Sequence, residues 1–202
     1  MGHREDLLAG AVACLREKGY ARTTARDIVA ASGTNLGSIG YHYGSVEALL
    51  NAAVLAAIEE WGEQLTRAMM AGIDPGAPFP RRFERYWATV LDTFAEYRQV
   101  WAATFDLYSV AGHVPEVRAA IADGLQDGRM AWAQLLHGID PETDPEKAQA
   151  VGSLHQALLS GILVQWLIDP ACAPSADDLF IGLQAIAEDM RLLAAYGELR
   201  DH

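Results

Sequence analysis

Several things are scarce in this chain. Its 202 residues hold two cysteines, Cys14 and Cys172. They form no CxxC pair and no metal-ligand spacing, so neither a disulfide framework nor a cysteine-built metal centre is expected. Cys14 lies in a helical apolar pattern and reads as a small core residue. No charge-free run of about 18 apolar residues is apparent, so no membrane span is expected. The opening MGHREDLLAG carries charges and no apolar h-region, so no secretory leader is expected and the chain reads as cytoplasmic. Strand signal is almost missing. Catalytic signatures are missing too: there is no HExxH, no Glu-x-x-His pair of a di-iron bundle, no GxSxG and no P-loop, and the six histidines are scattered. Neither an enzyme nor a bound cofactor or metal is expected.

Bases are also scarce, 15 Lys and Arg against 27 Asp and Glu, for a net charge of −12. Taken alone this argues against nucleic-acid binding. The distribution changes the argument. Residues 1–50 hold five of the bases and five of the acids and are neutral, so all the excess acid lies beyond them.

What is present is helical periodicity nearly throughout, in a chain 51% hydrophobic and able to bury a core. Leu7, Leu8, Ala11, Val12 and Leu15 share one face of a first helix, and Gly19 ends it. Thr24 with Asp27 forms a capping-box pattern that opens a short second helix through Ile28 and Val29. Gly33 breaks that helix, and Asn35 can cap a third that runs to about Tyr43. Gly44-Ser45 breaks again, and a long helix is predicted from about Val46 to Ala71. Further breakers lie at 74–78, 112–115, 140–145 and 169–176. They divide the remainder into about five helices, with Asp144-Pro145 and Ser175-x-x-Asp178 as start signals. The expected fold is therefore all-α, about nine helices: a three-helix helix-turn-helix domain over residues 1–50 and a helical bundle domain over 51–202.

The stretch Leu7–Val54 closely resembles the DNA-binding domain of the TetR family of repressors. The matching pieces are EKGY (17–20), TT (23–24), DI (27–28), Gly33, Gly37, YHY (41–43), and Ser45 followed by Glu47-x-Leu49-Leu50. Each piece is weak alone; their order and spacing over nearly 50 residues are specific. The resemblance implies that the third helix enters the major groove of a pseudo-palindromic operator. Asn35, Leu36, Gly37 and Ser38 would form its first turn, and Ser38 could meet a base edge or phosphate. Thr24 would offer its hydroxyl and the free amides of the second helix to phosphate. Tyr41 and His42 match family positions that commonly touch the DNA backbone. Two departures stand out. Gly40 replaces a second aromatic, and Val46 replaces a lysine that relatives often carry.

In the second domain, Leu154, Leu158, Ile162 and Gln165 form one apolar stripe, with Ala157, Gly161 and Val164 on a small-residue face opposite. In the last helix Leu179, Leu183, Ile186, Met190 and Leu193 form another. Helices apolar on two sides need two covers, and a second copy of the chain, as the resemblance also implies, would supply one through a homodimeric four-helix interface. Aromatics cluster midway: Trp101, Phe105 and Tyr108 at i, i+4 and i+7, with Trp61, Trp87 and Trp132 on neighbouring helices. Such stripes are more often plain core, but the resemblance implies an effector held among them. His155, Gln156, Tyr108 and Asp106 are the candidate polar anchors.

The sequence thus reads as a regulator, most simply a repressor, released from its operator by a small apolar or aromatic effector. The alternative is a helical interaction module of the same fold with weak or lost operator binding, which the acidic charge, Gly40 and Val46 favour.

Overall fold

The computed structural model describes residues 2–72, 74 and 76–200, with side chains to Arg191. Among these residues it is all-α. Nine helices follow one another: α1 His3–Lys18, α2 Ala25–Ser32, α3 Leu36–Tyr43, α4 Val46–Gly72, α5 Phe79–Asp92, α6 Arg98–Ala111, α7 Pro115–His137, α8 Pro145–Ile168 and α9 Ala176–Arg200, with one 3-10 turn at Tyr20–Arg22. Leu193 of the predicted α9 stripe lies outside the described side chains.

The N-terminal helices begin and end where local chemistry directs. Thr24 caps α2, its hydroxyl accepting from the Asp27 amide at 3.3 Å while the Asp27 carboxylate accepts from the Thr24 amide at 3.0 Å. Asn35 caps α3 by accepting from the Ser38 amide at 3.1 Å. Gly33 ends α2 at φ +66°, a left-handed conformation that side chains other than glycine disfavour. The α2–α3 pair closes over Ile28 and Ile39, both buried, against Leu7, Ala11 and Leu15 of α1. Gly10 lets α1 and α2 touch: a Cβ there would lie 2.8 Å from that of Ser32. Cys14 is buried in this core, and burial, ahead of the Asp27 charge, pushes its thiol pKa up.

α4 belongs to both halves. Leu49, Leu50, Ala53 and Val54 complete the N-terminal core, and Ala57, Trp61, Leu65 and Met69 continue into the bundle. The halves are tied beside it. Arg16 of α1 meets Glu60 at 2.9 Å and lies over the Tyr97 ring. Tyr20 donates to Asn51 at 2.8 Å; within the bundle, Tyr97 in turn donates to Gln64 at 2.7 Å.

One helix boundary in the bundle has no glycine or proline. Between α5 and α6, turns at Thr93–Tyr97 bend the chain and bury Phe94 and Tyr97. The Trp61 indole N–H donates to the Thr93 hydroxyl at 2.8 Å, and that hydroxyl donates to the Val90 carbonyl at 2.7 Å. The bend is therefore held from across the bundle rather than by its own sequence. α7 and α8 cross so closely at Gly152 that a Cβ there would overlap the Arg129 carbonyl. α8 is long and apolar enough to cross a membrane by length and composition. Here its inner side is core, with His155, Leu159, Ile162 and Leu163 buried.

Candidate DNA interface and ligand cavity

Three features are built by this fold, the first two at opposite ends of α4. The first is the outer side of α2 and α3. Once Ile39 is committed to the core and Tyr43 to α1, Leu36, Gly37, Gly40 and Tyr41 are left exposed. Leu36 is 53% and Tyr41 85% exposed, large apolar groups that the head does not use for packing. Asn35 and Gly37 are exposed as well, and Ser38 and His42 are half-buried. The Tyr41 and His42 rings meet edge to face at 4.8 Å. Tyr43 points the other way and braces α3 on α1, donating to the Arg4 carbonyl at 2.9 Å beneath the Arg4 guanidinium.

Thr24 is exposed, but its hydroxyl is engaged, donating to Asp27 at 2.6 Å. Bonds from Lys18 and then Thr24 hold the Asp27 carboxyl far below the usual carboxylate range. Lys18 is neutralised locally by that pair, and Arg22 donates to the Lys18 carbonyl at 2.8 Å. Arg26, exposed on the first turn of α2, is a cation beside this face that the sequence reading did not single out. Gly40 leaves open space, with nothing within 4 Å of a built Cβ.

The second feature is a cavity of about 540 Å³ among α4, α6, α7 and α8, within the usual size range of small-molecule sites. Trp61, Trp101, Tyr108, Trp132 and Gln156 line it. Phe105, Trp87, His155 and Asp106 do not, and here the structure corrects the sequence reading. Phe105 lies roughly a quarter turn from the side of α6 that carries Trp101, Thr104 and Tyr108 into the cavity, and it is 37% exposed. Trp87 is fully buried and stacks on His155 at 6.0 Å. His155 lies on the core side of α8, next in sequence to the cavity-facing Gln156. Its Nε2 pairs with Nε2 of His137 at 2.8 Å. Burial, then the His137 charge, pushes its pKa down to about 4, and burial also lowers His137. The pair is therefore neutral and acts as packing.

Small residues of α7 give the cavity part of its room: Ala120, Gly124, Gly128 and Ala131 line it beside the larger Ile121, Leu125, Trp132 and Leu135. Gly62 of α4 does the same. A Cβ at Gly62 or Gly124 would meet nothing within 4 Å. Mid-helix glycines cost about 1 kcal/mol each relative to alanine, and here they stand beside empty space. Sequence reasoning missed them because it followed large residues. The spacing 120, 124, 128, 131 was the available signal.

A third surface runs along α8 and α9. Leu154, Ile168, Ile181, Ile186 and Met190 are exposed, and Val164 partly so, beside exposed Ala157 and Gly161. Gln165 is exposed on the same helix. The predicted stripe is corrected in part. Ile162 is buried inside its own protomer, and Leu158, Leu179 and Leu183 are half-buried against the core. The apolar surface left over follows the small-residue side of α8 instead.

Comparisons with known proteins agree with this architecture. Residues 7–53 match the bacterial regulatory proteins, tetR family. Residues 79–193 match the tetracyclin repressor-like C-terminal domain. Among curated proteins nothing matches significantly. Among solved structures, a tetR-family transcriptional regulator from Streptomyces coelicolor aligns with a TM-score of 0.65 at 18% identity, over 97% of this chain and 85% of that one. A transcriptional regulator from Rhodococcus sp. Rha1 aligns with a TM-score of 0.61 at 18% identity, over 89% and 94%. The multidrug binding protein EbrR, complexed with proflavin, aligns with a TM-score of 0.59 at 20% identity, over 91% and 99%. At such identities these likenesses establish the fold.

Proposed function

The chain belongs to the tetR family of bacterial regulatory proteins, non-enzymatic DNA-binding transcriptional regulators, and from that premise we propose that it is a homodimeric cytoplasmic repressor whose operator binding is released by a small apolar or aromatic molecule. Residues 1–50 act as the DNA-binding domain and 51–202 as the sensing and dimerising domain. The observation that carries the sensing role is the aromatic-walled cavity beside α4, the helix whose other end completes the core of the DNA-binding head. The likeness to a multidrug binding protein crystallised with proflavin supports the same reading.

For DNA, the first turn of α3 enters the major groove with Asn35, Leu36, Gly37 and Ser38, and Tyr41, His42 and the Thr24 end of α2 meet the backbone. Two such helices require a dimer. The exposed apolar surface on α8 and α9 is a patch that a second copy covers. Release follows if the ligand favours a setting of α4 in which the two α3 helices no longer match successive grooves. The Arg16–Glu60 and Tyr20–Asn51 contacts carry that setting from the bundle to the head.

A gel shift on the chain's own upstream DNA tests the reading. Wild-type protein is expected to bind as a dimer, and a Ser38→Ala, Tyr41→Ala, His42→Ala variant is expected to lose binding while melting normally. Unchanged binding by the triple variant refutes the placement. No binding by the wild type favours the interaction-module alternative. Light scattering tests the dimer: Ile186→Asp is expected to yield monomers, and a monomeric wild type at micromolar concentration refutes it.

A further inference from the structure

The charge of the ligand can be read from the cavity wall, on the premise that the cavity is a sensing site. Among its lining residues are three carboxylates, Glu59 on α4 and Asp123 and Asp127 one turn apart on α7. None of the lining residues is Lys, Arg or His. All three carboxylates are exposed and so sit at the solvent-facing rim. The nearest base in sequence, Arg129, is turned to Gln126 at 3.3 Å and lines no part of the cavity. Deeper in, the wall is aromatic, with Trp61 and Trp101 packed edge to face at 4.8 Å. Indole faces attract cations through the ring quadrupole.

We propose that the cavity selects a flat aromatic cation, its charge at the Glu59, Asp123 and Asp127 rim and its rings among the tryptophans. Carboxylates and indoles act in the same direction here, and no base opposes them. An anionic aromatic of the same size would meet three like charges and is excluded electrostatically rather than by shape.

The test uses three dyes of one shape: N-methylacridinium, acridine at pH 8, where it is neutral, and anthracene-9-carboxylate. Binding to the full-length protein is followed by tryptophan quenching. The cation is expected to bind about ten-fold tighter than acridine, an advantage of the size that a few exposed ion pairs and a cation–π contact supply. The anion is expected to bind weakest. Rising salt should shrink the cation's advantage, because the carboxylates are exposed. A Glu59→Gln, Asp123→Asn, Asp127→Asn variant should bring cation and acridine to equal affinity, with its melting curve as the folding control. Equal binding of cation and acridine by the wild type, or best binding of the anion, overturns the charge assignment and leaves the sensing role standing. If no dye binds, both fall.

Discussion

The head and the bundle solve opposite problems with the same residue. In the head, glycine brings things together: Gly10 seats α2 on α1, and Gly33 turns α2 into α3 at φ +66°. In the bundle, Gly62 and Gly124 keep things apart, standing on helix faces where an added side chain would meet nothing. Gly152, in the same bundle, behaves like the head glycines and lets α7 and α8 cross. A glycine in a helix therefore has no meaning on its own. What lies across from it decides whether it serves packing or room. The charges divide similarly. The neutral head leaves few cations uncommitted, while the acidic body places carboxylates around its cavity.

The sharpest way to break this contrast is to add one methyl group at each kind of site. Gly152→Ala should cost about 3 kcal/mol or more, the upper end for overpacking, because backbone rather than a flexible side chain stands in the way. Gly124→Ala, on the partner helix, should instead gain up to about 1 kcal/mol. Urea unfolding of both variants checks the pair, and equal effects would dissolve the distinction.

The next effect in size concerns pH. His155 in the folded protein sits at about 4 against an ordinary 6.5. The unfolded chain therefore takes up the proton first. The stability this group contributes is complete above about pH 6.5 and is lost as pH falls toward 4, to the extent of about 2–3 kcal/mol. His155→Phe should flatten that part of the pH profile, measured as urea midpoints between pH 7.5 and 4.5. An undiminished slope would mean that other groups carry it.

The smallest effects lie in the head. Gly40→Ala should stabilise by about 1 kcal/mol or less, since its Cβ position is open and the helix continues through it. Because Lys18, Arg22 and Arg16 are committed to internal partners, operator binding should depend only shallowly on salt. The slope of log K against log salt is about −0.9 per neutralised phosphate. A slope near −10 would reveal contacts beyond those identified.

The same division decides what was legible in the sequence. The head was readable almost residue by residue, because caps such as Thr24 and Asn35 and stops such as Gly33 act within three or four positions. In the bundle the helix starts at Asp144 and Ser175 were equally local and equally readable. The bend at Thr93–Tyr97 was not, because Trp61 fixes it from 32 residues away. The cavity was half legible. Trp61, Trp101, Tyr108, Trp132 and Gln156 were named, but Trp87 and His155 turned to the core, and the small residues that give it part of its room were passed over. On α8 the predicted stripe joins Ile162, which its own bundle buries, to Leu154 and Gln165, which it leaves exposed, since a helix apolar all round does not disclose which side its own bundle takes.

The central claim is that cavity and operator are coupled through α4. Its most direct test is anisotropy of labelled upstream DNA titrated with wild-type protein and with Gly124→Leu, each with and without saturating N-methylacridinium, acridine or anthracene-9-carboxylate. At least one of these should weaken wild-type binding by about 5–150-fold, the usual span of allosteric coupling. Gly124→Leu, which sets a leucine side chain into the cavity wall, should bind DNA as the wild type does and respond less to the dyes. DNA affinity that no dye alters, or a Gly124→Leu variant that still responds in full, would contradict the coupling.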